Sequence, residues 1–223
     1  MDQNLPLKKH PEQIPQPAAP ARYPWLRDVI GLLVFIAAVI VGATIINAIV
    51  FRSFSVIGPS MEDTLYTNER IIVNRLPVTW AALSGHGYSP SRGEIIVFKN
   101  PQFSPGNADE YIVKRVVGLP GERVTVNDCR ATVYNHEHPN GFNPYDGFDV
   151  SDRNDCITGK KIDFTVPTGE LFVIGDHRNG SYSHDSRNGL GDPNGSNPSG
   201  IPISDVVGPV GARIWPLQTF RFF

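Results

Sequence analysis

Ser60, in the pair Ser60-Met61, and Lys114, in the pair Lys114-Arg115, have the side-chain types needed for a nucleophile and its base. A serine hydroxyl attacks poorly until a neighbouring group takes its proton. Histidine is the usual acceptor, and the chain has six. His10 lies in a proline-rich leading segment, while His86, His136, His138, His177 and His184 sit in Gly-, Asn- or Ser-rich surroundings, where an exposed ring is the ordinary outcome. His136-x-His138 could be half of a metal site, but no partnering ligands stand out, and no metal is expected. Neither a Gly-x-Ser-x-Gly elbow nor a His-first triad is present. Lysine is the other activator of serine, provided that it is neutral. A solvated lysine titrates near about 10.4 and must fall by about three units, roughly 4 kcal/mol, to act as a base at neutral pH. Desolvation on an apolar face does this. In Tyr111-Ile112-Val113-Lys114-Arg115-Val116-Val117 the strand period sets Lys114 between Ile112 and Val116 on one face. That placement suits a buried base, or else an edge-strand lysine that deters aggregation. Ser-Lys chemistry calls for no cofactor.

The elements around these residues begin with Val29 to Val50, 22 residues without a charge and with Thr44 and Asn47 as the polar side chains. Such a run is long enough to cross a hydrocarbon core as a helix. Ser60 follows it by ten residues. At about 3.6 Å per extended residue, Ser60 lies within roughly 36 Å of the bilayer surface. Lys8, Lys9, Arg22 and Arg27 precede the run and Arg52 closely follows it. The bias places the N-terminus in the cytoplasm and the rest beyond the membrane. A cleaved signal peptide is the rival reading. The long leading segment, the length of the run and the lack of a following Ala-x-Ala favour an uncleaved anchor. Residues 1–28, with six prolines, read as a disordered cytoplasmic tail, and 29–50 as the anchor.

Residues 51–223 carry strand signals rather than helix signals. The runs Arg70–Arg75, Glu94–Phe98, Tyr111–Val117, Arg123–Val126, Leu171–Ile174 and Val206–Ile214 are β-branched and punctuated by turns such as Pro120-Gly121. They predict an all-β domain of mostly antiparallel sheets. Residues 127–168, rich in Asn, Asp and Gly, predict a small loop-rich insert, and Asp192–Gly200 a surface loop. Cys129 and Cys156 fit neither a redox motif nor a four-cysteine zinc site; one disulfide and two free thiols both stay open. A net charge of -2 without a basic block in the soluble part excludes a general nucleic-acid surface.

Several segments, in order, resemble motifs of the bacterial type I signal peptidases (leader peptidases): Gly58-Pro59-Ser60-Met61-Glu62-Asp63-Thr64-Leu65, Arg92–Phe98, Tyr111–Glu122, Gly175-Asp176-His177-Arg178 with Ser183–Arg187, and Val206–Pro216. The resemblance covers about residues 25–217. It implies a membrane-anchored serine endopeptidase with a Ser-Lys dyad that removes N-terminal signal peptides from exported preproteins after small residues, in an Ala-x-Ala pattern. Ser60 maps onto the nucleophile, Lys114 onto the general base, and Ser183 onto the serine that orients the lysine. Asp185 and Arg187 match the supporting acid–base pair, and Val56, Ile57, Met61 and Val113 are the implied apolar subsites. The implied partners are signal peptides and membrane lipid, in a plasma membrane or an internal one such as a thylakoid. Asp63 stands where proline is usual. Gly-Asp-His-Arg replaces Gly-Asp-Asn-Arg, with two extra residues before Ser183, so that Ser181 competes for the orienting role. Gly58 sits where some members carry a serine that completes the oxyanion hole. A catalytically inactive, membrane-tethered β-domain that binds exported proteins is the alternative. A soluble self-cleaving repressor with Ser-Lys chemistry is a third reading, without support because no helix-turn-helix or basic DNA-facing segment precedes the serine.

Overall fold

The computed structural model describes residues 23–106, 109–127, 130–148, 161–178, 183–192, 194–195 and 197–223. The leading tail before Tyr23, Cys129, Cys156 and Ser181 lie outside them. The chain divides into two units, Met1–Ala43 and Thr44–Phe223.

Helix α1 (Pro24–Ile49) begins ahead of the uncharged run, so Arg27 and Asp28 fall in its first turns. Its 26 residues give about 39 Å at 1.5 Å per residue, enough to cross a hydrocarbon core. Its apolar window has a mean hydropathy of 3.0 and buries none of its residues within the protein. An exposed helix that is apolar all round is suited to lipid rather than water.

In the second unit the last turn of α1 leads into β1 (Phe51–Ser55), which pairs antiparallel with β2 (Arg70–Asn74). Then come α2 (Leu76–Ser84), β3 (Ile95–Lys99), β4 (Tyr111–Gly118), β5 (Arg123–Asn127), β6 (Arg130–Tyr134), β7 (Ile162–Thr165), β8 (Glu170–Ile174), β9 (Ile201–Pro202), β10 (Val206–Trp215) and β11 (Arg221–Phe222). One eight-stranded sheet runs β1-β2-β10-β3-β4-β8-β9, with β11 on β10; the other is β6-β5-β7. Every pairing among the described residues is antiparallel. The smaller sheet takes its central strand, β5, from ahead of residue 127, so it is not confined to the expected insert. Two strands of that insert, β6 and β7, flank β5 because Val124 and Val126 alternate inward with Ala131, Val133 and Ile162 in one core cluster. Val117, Phe172 and Ile174 of the larger sheet join the same cluster.

Helix α2 has no counterpart among the expected strands. It is short, and its Val, Thr and Trp are poor helix formers. Its ends carry the local signals: Pro77 near the start and Gly85 at φ 70° as the left-handed C-cap. Just ahead of it, Arg75 donates from its guanidinium to the Ala48 carbonyl and from its backbone N–H to Val50 O at 2.8 Å. Thr79 Oγ1 donates to Ile49 O at 3.1 Å. These donors meet carbonyls that the end of α1 leaves without helical partners.

Candidate active site

Ser60 sits in the turn that follows β1. The Glu62 N–H donates to Pro59 O at 3.0 Å and the Leu65 N–H to Met61 O at 2.8 Å. Met61 and Leu65 are fully buried and pin the turn into the core formed by Val56, Ile71, Val73 and Val97. The His177 N–H donates to Ser60 O at 3.0 Å, and Thr64 Oγ1 donates to Asp176 Oδ2 at 2.5 Å. The nucleophile candidate is thus held on both sides by backbone and by a buried carboxylate.

Lys114 lies in β4 and is only 3% exposed, so the reading as a solvent-facing edge lysine that deters aggregation fails. Ile112 and Val116 pack into one cluster, as the strand period requires of residues on one face. Lys114 Nζ donates to Ser60 Oγ at 2.7 Å and to Val113 O at 3.0 Å. Burial brings its pKa down from 10.5 to about 8; Asp185 and Asp176 pull upward and Arg187 pushes downward. The lysine is held far closer to neutrality than a solvated one.

Behind Lys114, Asp185 is fully buried and accepts from Ser183 Oγ at 2.6 Å, the Gly175 N–H at 3.1 Å, and Arg187 Nε and Nη2 at 2.9 and 2.7 Å. Burial alone would raise its pKa, but the Arg187 charge and these hydrogen bonds leave it below the ordinary carboxylate value. The Ser183 hydroxyl is therefore tied to Asp185 rather than to Lys114. Among the described residues, Lys114 Nζ hydrogen bonds to Ser60 and Val113. A Cβ on Gly175 would lie 2.3 Å from both Ser183 Oγ and Ser60 O. The second is backbone and cannot swing aside. Gly175→Ala should displace Ser60 from Lys114 and reduce turnover by about 10²-fold, the scale of a 1 Å misplacement. Steady-state kinetics with circular dichroism, to verify the fold, checks this.

A cleft of about 510 Å³ opens at the pair, lined by Val56, Ile57, Val113, Ser60, Lys114 and His184 among others. Three of the four expected subsite residues are there. Met61 is not: the turn that presents Ser60 tucks the next side chain into the core, where it is fully buried. Gly58 has φ 88°, a left-handed conformation that penalises any Cβ. The backbone at this position is thus shaped for glycine. Among the described residues the Ser60 N–H has no acceptor, leaving it free to donate to a developing oxyanion. His184 Nε2 lies 3.1 Å from Gln102 Oε1, and His177 Nδ1 lies 3.8 Å from Glu62 Oε2.

Sequence reasoning gave Arg115 and Asp176 no role. Arg115 donates to Asp176 through Nε at 2.8 Å and Nη2 at 2.6 Å, and through Nη1 to Gly93 O at 2.7 Å. This buried fork joins the Ser60 turn, through Thr64, to β4. A second cation inside an apolar strand was the available signal, because a charge at a buried strand position needs a partner.

A family model described as "Signal peptidase, peptidase S26" matches residues 27–215. Signal peptidase I of Bacillus caldolyticus is 31% identical over 209 residues, covering 90% of this chain and 93% of that protein. Signal peptidase IB of Staphylococcus aureus (strain MRSA252) is 26% identical over 208 residues, covering 88% and 94%. A solved signal peptidase I from Enterococcus faecalis V583 is 25% identical and covers 54% of this chain and 96% of that one, at a TM-score of 0.36, too low to speak to the fold. The match across most of its length makes this chain a member of the signal peptidase family, the serine peptidases of family S26.

Proposed function

We propose that this chain is a membrane-anchored endopeptidase that cleaves signal peptides from exported preproteins with Ser60 as nucleophile and Lys114 as general base. The observation that carries the reading is the 2.7 Å contact between the Ser60 hydroxyl and a buried amine whose pKa burial brings down to about 8. Neutral Lys114 accepts the hydroxyl proton as Ser60 Oγ attacks the scissile carbonyl. The Ser60 N–H donates to the oxyanion. The ammonium then gives its proton to the departing amine, leaving an acyl ester on Ser60. Lys114, neutral again, deprotonates a water that hydrolyses the ester. Asp185, Arg187 and Ser183 form the fixed polar wall behind the amine.

The substrate reading draws on the shape of β4. It pairs with β3 along Tyr111–Arg115 but meets β8 only from Arg115 onward. The other edge of Tyr111–Lys114 faces the cleft, where an extended peptide can add as a strand. Val56, Ile57 and Val113 offer shallow apolar contacts suited to small side chains, the Ala-x-Ala preference. Helix α1 anchors the enzyme with its N-terminus in the cytoplasm, and the peptidase unit works on the far side. A signal peptide's scissile bond follows its own apolar segment, so it emerges near the surface from which Ser60 is tethered. Incubating the purified full chain with a preprotein and sequencing the product N-terminus should show one cut after Ala-x-Ala. A preprotein that is bound but uncut would favour the non-cleaving binding domain.

A further inference from the structure

We propose that α2 is a second membrane contact, a short helix that lays Leu76, Trp80 and Leu83 into the outer face of the bilayer beside the end of the anchor. Leu76 is 46% exposed, Trp80 72% and Leu83 78%. Their spacing of four and then three residues puts them on one helix face. Ala81, by contrast, is buried. The nine residues of α2 include no charge, and the hydroxyls of Thr79 and Ser84 donate to the backbone carbonyls of Ile49 and Ala81. Tryptophan, with an apolar body and one polar N–H, concentrates at membrane–water boundaries.

Lipid is the occupant because of where α2 begins. Arg75, immediately ahead of it, holds the Ala48 carbonyl, and Thr79, within its first turn, holds the Ile49 carbonyl. Those carbonyls end the apolar helix, so α2 starts at the level where the anchor leaves the hydrocarbon. Arg75 suits that level, where a guanidinium reaches the headgroups. A single helix leaves the attached domain free to swivel, whereas an adjoining second contact fixes which way it faces. The inference rests on the anchoring reading of α1.

Two variants of the full chain with one tryptophan each separate the two claims. One keeps Trp80 (Trp25→Phe, Trp215→Phe) and the other keeps Trp25 (Trp80→Phe, Trp215→Phe). Each is reconstituted into phosphatidylcholine–phosphatidylglycerol vesicles with plain or brominated acyl chains, after circular dichroism has verified the fold. The expected result is loss of fluorescence to bromine for both, with Trp80 emission blue-shifted from its position in water. Quenched Trp25 beside bright, acrylamide-accessible Trp80 overturns the α2 contact and leaves the anchor standing. Bright Trp80 that is shielded from acrylamide also overturns it, because a protein surface would then be the cover. If neither is quenched, the anchoring reading falls and the α2 contact falls with it.

Discussion

Lys114→Met should bring preprotein cleavage to background while making the folded domain more stable. Methionine keeps most of the stem's volume and removes the amine, the group that meets Ser60 Oγ. The stability gain follows from the sign of the shift. The folded pKa of about 8 lies below the unfolded value of about 10.4, so the unfolded chain binds more protons between them. Stability therefore rises with pH across that window, and below it the buried lysine costs on the order of 3 kcal/mol. Methionine carries no such cost, so at pH 7 thermal unfolding should shift upward as activity disappears. In the wild type, kcat/KM should rise with pH through about 8 and then level, as the amine loses its proton. Lys114→His should not rescue cleavage, because the shorter ring cannot place a nitrogen where the stem reaches. Substantial activity in Lys114→Met would point to another base, with His184 in the cleft wall as the first suspect.

Ser60→Ala should reduce turnover by about 10⁶-fold, the scale seen when a serine protease loses its nucleophile. Among the described residues the hydroxyl's partner is Lys114, so the fold loses one hydrogen bond and no packing. Cleft-lining Val56, Ile57 and Val113 are untouched, and the variant should still bind preprotein and compete with wild type for it. The double variant Ser60→Ala/Lys114→Met should be no slower than either single one, since the two groups act as a unit. A double variant far slower than both would mean that serine and lysine contribute separately, contrary to the proposed dyad.

The strands were legible where β-branched runs alternate toward a core. Arg70–Asn74, Tyr111–Gly118 and Val206–Trp215 follow that pattern within a residue or two. Phe51–Ser55 was hidden, because its two phenylalanines stand three residues apart, with Arg52 and Ser53 between them, which breaks the strand's period of two, and its partner lies beyond the Ser60 turn. Lys114 could be found from Ile112 and Val116, because a strand's period survives in sequence. Ser60 could not be found that way. It lies in a turn without periodicity, and the resemblance singled it out. Turn geometry also explains Met61: an apolar residue beside a nucleophile reads as a subsite until the turn shows that its side chain points inward. The Ser183 partner was unreadable for a different reason. Asp185 and Lys114 both offer the hydroxyl a partner, and choosing between them takes coordinates.

Lys114 and Arg115 are neighbours on β4 whose side chains leave opposite faces of the sheet, one toward Ser60 and the other into the Asp176 fork. That adjacency works like a reading frame. If β4 slipped by one residue against β3, a guanidinium that keeps its proton would face the serine. The same slip would take the Arg115 fork from buried Asp176 and leave it the longer contact with Arg178 at 3.9 Å, which destabilises the misregistered sheet. A chain paired out of register is thereby inert as well as unstable, and it cannot become a protease with a misplaced base. Folding correctly and assembling the proposed dyad are thus one event at this strand.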